Sequence, residues 1–120
     1  MTQIGYGKSD VIAEAFDFAV PLTAFTITMQ TGKLVLNPAG TLATGTVTLP
    51  LNPPDGAVAE ISSTQTQTAL TVNANTGDAL AGAAVTALVA NTRVAWRYSL
   101  NGTQNSTGVT VNTRTWVRVQ

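Results

Sequence analysis

Turn-forming residues interrupt this chain every ~8–12 residues, and the runs between them alternate apolar and polar side chains with a period of two. Pro21 ends the first alternation, in which Phe16, Phe18 and Val20 are spaced by Asp17 and Ala19. Thr31-Gly32 closes the next, where Phe25, Ile27 and Met29 oppose Thr26, Thr28 and Gln30. Asn37-Pro38-Ala39-Gly40 stops a short strand over Lys33 to Leu36, because Pro fixes φ and Gly accepts positive φ. Asn52-Pro53-Pro54-Asp55-Gly56 is a stronger stop, since Pro-Pro cannot join a ladder and Asp-Gly favours reversal.

Further strands are expected over Thr44 to Leu51, Ala57 to Ser63, Ala69 to Ala74, Val94 to Tyr98 and Thr115 to Val119. Val58 and Ile61 differ in parity, which suggests a bulge near Ala59 and Glu60. The Ala-rich stretch holding Leu80, Val85, Leu88 and Val89 reads as two short strands or an irregular ribbon around Gly82. Ser62 to Thr68 and Asn101 to Gly108 read as polar loops. Threonine supplies 21 of the 120 residues, and its β-branched side chain prefers a pleated strand to a helix. The expected fold is therefore all-β: an antiparallel β-sandwich or flattened barrel, jelly-roll-like, with an extended N-terminal arm. Residues 1–13 form the arm and 14–120 one sandwich domain. The expected core is Phe25, Ile27, Leu34, Leu36, Val47, Leu49, Ile61, Leu70, Val72, Val94, Trp96 and Tyr98.

Composition narrows the chemistry. With no Cys and no His, disulfides, thiolate nucleophiles and Cys/His metal sites are excluded. The six acids, Asp10, Glu14, Asp17, Asp55, Glu60 and Asp78, lack the alternate spacing of a Ca²⁺ loop, and Glu14 and Asp17, close enough in sequence for an acid–base pair, sit beside the arm with no partner motif. Asp55 and Asp78 sit beside glycines in turns, where Asp is favoured for backbone reasons. No Gly-rich phosphate loop occurs. The expectation is a non-enzymatic chain with no cofactor. No apolar run is long enough to span a bilayer, and charges at Lys8, Asp10, Glu14 and Asp17 break any secretory h-region. Chain start at or near Met1 is expected. Charged residues make up 10% of the chain and the net charge is zero, which suits a surface that ends against other protein.

Two regions read as interface. All four arginines follow residue 92, and Arg114, Trp116 and Arg118 share one strand parity. A single-strand nucleic-acid platform needs more aromatic faces than this, so a protein contact is the reading, Trp and Arg being the types that dominate hot spots. In the arm, Ile4, Tyr6, Val11 and Ile12 lie among glycines, as in a segment laid on a neighbouring subunit by strand addition.

From Lys33 to Gln120, 88 of the 120 residues, the chain resembles a family of small tailed-bacteriophage virion β-domains. The resemblance runs through Leu34-Val35-Leu36-Asn37-Pro38-Ala39-Gly40-Thr41-Leu42-Ala43, Val47-Thr48-Leu49-Pro50 and Pro54-Asp55-Gly56. It continues through Ile61-Ser62-Ser63-Thr64-Gln65, Leu70-Thr71-Val72 and Trp116-Val117-Arg118-Val119. The family's closing segment often reads Trp-Tyr-Arg, so one aromatic contact differs here. The resemblance implies an assembly role without catalysis: a capsid decoration (cement) protein on the virion surface, made in the host cytoplasm. Its partners would be the major capsid protein and copies of itself, a trimer being favoured, with no nucleic acid and no membrane. A tail- or head-fibre adhesive module binding host glycan or protein is the alternative. The absence of heptads and the start at Met1 favour the free decoration module over a fibre knob.

Overall fold

A computed structural model describes residues 14–100 and 113–120, which hold nine strands and no helix. The strands are β1 (Asp17–Ala19), β2 (Phe25–Thr28), β3 (Lys33–Leu36), β4 (Leu42–Thr48), β5 (Val58–Ser63), β6 (Gln67–Asn73), β7 (Ala79–Ala81), β8 (Thr92–Ser99) and β9 (Thr115–Arg118). They build a six-stranded sheet, β1-β3-β5-β8-β9-β7, and a three-stranded sheet, β2-β4-β6. The arm, with Ile4, Tyr6, Val11 and Ile12, lies outside the described residues, as does the 101–108 loop.

The all-β class holds, but the antiparallel pairing is corrected. Five of the seven described ladders are parallel: β1-β3, β2-β4, β3-β5, β4-β6 and β7-β9. The other two, β5-β8 and β8-β9, are antiparallel. Consecutive strands from β1 to β6 alternate between the sheets, so the chain re-enters each sheet two strands later in the same direction. Parallel neighbours need a crossover of about a dozen residues or more. Here the crossover is a strand of the opposite sheet. From β1 to β6 the turns are corners between sheets, not hairpins within one.

Gly32 illustrates the difference. A primed hairpin turn needs positive φ, yet the positive-φ glycines are Gly56, Gly77 and Gly82. Gly32 instead permits close approach between β3 and β5. A Cβ there would stand 2.7 Å from the Val58 carbonyl oxygen, and the Gly32 carbonyl accepts a 2.8 Å hydrogen bond from Glu60 N–H.

One core lies between the sheets. Leu34, Leu36, Ala59, Ile61, Val94, Trp96 and Tyr98 face it from the large sheet, and Val47, Leu70 and Val72 from the small one. All the expected core residues from Leu34 onward are buried, whereas Phe25 and Ile27 are half-buried and pack against the cluster. Met29, Leu42, Leu88 and Trp116 join the core without having been expected there. Fully burying one such side chain is worth roughly 1.5–3 kcal/mol, so this cluster dominates the stability of the body. The anticipated bulge is absent. The β5-β8 register runs unbroken from Val58↔Arg97 to Ser63↔Thr92. The parity conflict resolves because Ala59 points inward and Val58 outward.

Candidate interaction surface

The described residues contain no group of three His, Cys, Asp or Glu that could hold a metal, and no helix long and apolar enough to cross a membrane. What they offer is surface. β1 is an edge strand, paired with β3 and with no second strand partner among the described residues. Its alternation turns Asp17 and Ala19 toward the body and leaves Phe16, Phe18 and Val20 54%, 57% and 64% exposed. Phe18 lies in register with half-buried Val35, and Leu22 extends the apolar strip beyond Pro21. Nearby charges are engaged locally. The Asp17 carboxylate accepts hydrogen bonds from Gln30 N–H at 2.6 Å and Thr31 N–H at 3.4 Å, and Glu14 pairs with Lys33 at 3.1 Å. Apolar residues scattered singly on a surface are ordinary, whereas contiguous ones are a feature of contact sites.

The Arg114, Trp116 and Arg118 group reads differently in three dimensions. Trp116 is 1% exposed and packs on Tyr98, ring centroids 4.9 Å apart, so its expected exposure is corrected. The physical reason is register. Tyr98 and Trp116 are cross-strand neighbours on the inner face of β8 and β9, and two large rings on that face belong to the core. The two arginines flank it and clamp the segment carrying β7. Arg114 Nε donates to the Gly77 carbonyl at 3.0 Å and Nη2 meets Asp78 Oδ1 at 3.1 Å. Arg118 Nη1 donates to the Ala83 carbonyl at 3.0 Å.

Asp78, a turn residue in the sequence, proves to be the buried centre of this region. Its side chain has no exposed surface, and its Oδ1 also accepts the Tyr98 hydroxyl at 2.8 Å. Burial, then the hydrogen bond to and charge of Asp78, push the Tyr98 phenol above its ordinary value, with Arg114 opposing. Asp78 Oδ2 and Trp116 Nε1 are buried without a partner among the described residues. No local signal in the sequence distinguished Asp78 from an ordinary turn aspartate.

A groove of about 400 Å³ runs between β6 and the 80–86 segment, with Leu70, Val72, Leu80, Val85 and Trp96 among its walls. No charged side chain lines it. Trp96 is 2% exposed, so the groove offers little of the ring to a ligand.

Comparison of the chain with protein-family models, with curated proteins and with solved structures gives no match in any of the three.

Proposed function

We propose that this chain is a structural protein of a tailed-phage virion, a decoration protein that binds and stabilises the assembled shell. The observation that carries the reading is the exposed apolar strip at Phe16, Phe18, Val20 and Leu22 on a body whose nearby charges are paired internally. Such a surface suits permanent contact with protein. In this reading the body is a flattened sandwich of two sheets that covers a site on the shell without performing chemistry on it. A protein that binds only the assembled shell stabilises that state by mass action. Its partners are the major capsid protein and further copies of itself, and residues 1–13 are the proposed attachment segment.

The fibre-adhesin alternative has less support. Glycan sites stack sugars on exposed Trp or Tyr, and every Trp and Tyr among the described residues, Trp96, Tyr98 and Trp116, is buried. The test is co-sedimentation of the purified protein with empty phage shells, together with the heat resistance of those shells. Full-length protein should bind saturably and raise shell stability, and removing residues 1–12 should abolish binding while the body stays folded. Antibody label confined to the virion tail would end the decoration reading.

A further inference from the structure

We infer that the free edge of β1 is a two-fold contact between copies of this chain, formed by antiparallel pairing of residues 16–20 about Phe18. Three observations carry this. First, the backbone direction is right. The Ala19 carbonyl accepts Asn37 N–H from the β3 side, so the alternation of a strand turns the N–H and C=O of Phe18 to the open edge. A two-fold axis beside Phe18 makes it a hydrogen-bonded pair with itself, each copy donating its N–H to the other's carbonyl.

Second, the segment is self-complementary in that register. Phe16 falls opposite Val20 of the second copy and Phe18 opposite Phe18, which are aromatic–β-branched and aromatic–aromatic cross-strand pairs on one face. On the inner side Asp17 falls opposite Ala19, a small residue that leaves room for the Asp17 carboxylate and its bonds to Gln30 and Thr31. Pro21, which could not donate to a ladder, lies just outside the paired five residues.

Third, charge selects a copy over a charged partner. The strip carries no lysine of the kind that blunts natural edges. Glu14 and Asp17 are already bonded within the chain, and the net charge of zero leaves copies without long-range repulsion. The six-stranded sheet then continues across the axis. This contact alone gives dimers, unlike the trimer that the phage resemblance implies; it puts a second copy on the apolar strip that supports the proposed function, and because dimers are measured without shells the two readings fail separately.

Sedimentation velocity over a wide concentration range tests it. The full chain should show a reversible dimer, and Phe18→Lys should be monomeric with an unchanged β-type circular dichroism spectrum. Phe18→Cys, in a chain with no other cysteine, should form a disulfide-linked dimer under mild oxidation. Val58→Cys, on the same sheet but away from the edge, should not. If Phe18→Lys fails to fold, the cysteine pair decides. The inference is overturned by a wild-type chain that stays monomeric throughout or by Phe18→Lys assembling like wild type. Cross-linking through residue 58 as readily as through 18 would overturn it too, as would dimers that appear only after residues 1–13 are deleted.

Discussion

The Tyr98 hydroxyl donates a 2.8 Å hydrogen bond to Oδ1 of Asp78, tying the longest strand of the large sheet to the turn that launches β7. Arg114 reaches the same oxygen from the start of β9. Three chain segments distant in sequence therefore meet at one buried carboxylate. A hydrogen bond to a charged group is worth about 1.5–3 kcal/mol. Tyr98→Phe should lower unfolding free energy by that amount in urea titrations. Asp78→Ala should cost about as much or more, because it leaves the buried phenol without its acceptor and removes the Arg114 ion pair. The double mutant should cost less than the sum, since both changes break one shared bond.

The same phenol should shape stability at alkaline pH. Its folded pKa lies above the ordinary 10.0, chiefly through burial. The folded state therefore holds its proton where the unfolded chain has already lost it. The stability this provides is complete below the unfolded value and is lost as pH rises through the raised folded value. Denaturant titrations above pH 10 should show wild-type stability falling, and Tyr98→Phe should fall less steeply. Parallel curves for the two proteins would contradict this account.

Much of the fold is legible in the sequence because alternation and turn chemistry are local. β3 occupies Lys33–Leu36 as read, and Val94, Trp96 and Tyr98 all face the core. What local chemistry could not reveal is which sheet a strand enters next. Thr31-Gly32 reads as a turn, and the chain does bend there, but the sequence does not show that Gly32 also passes under the Val58 carbonyl of β5. The parity of Phe16, Phe18 and Val20 is visible, whereas the side they face depends on where β3 lies. Trp116 was misplaced for a related reason. Its neighbours Arg114 and Arg118 suggested an exposed face, yet their long side chains reach back to the 77–83 segment and leave the indole beneath.

The burial of both tryptophans has a direct optical consequence. Single-tryptophan proteins made by Trp96→Phe and by Trp116→Phe should each emit at short wavelength and resist quenching by iodide, since the remaining indole is 1–2% exposed. Unfolding should red-shift both and open both to the quencher. Trp116→Ala should cost about 3–5 kcal/mol, the range for deleting a buried large aromatic. Strong iodide quenching in the protein retaining only Trp116 would return that residue to the surface.

The parallel register of β2 on β4 is the least expected feature of the fold, and it can be tested by a change of sign. Phe25 is in register with Gly45, and its ring occupies the space that a Cβ on Gly45 would need. Gly45 is not at positive φ, so alanine there is conformationally allowed and any cost is steric. Gly45→Ala alone should therefore destabilise by about 1–3 kcal/mol, the usual cost of overpacking. With the ring removed by Phe25→Ala, the same Gly45→Ala change should become neutral or stabilising by about 0.5–1 kcal/mol, because glycine weakens a strand interior. Residues that do not touch give additive effects within a few tenths of a kcal/mol. An additive double mutant, with Gly45→Ala equally costly in both backgrounds, would mean that Phe25 and Gly45 are not neighbours and that the parallel ladder is wrong.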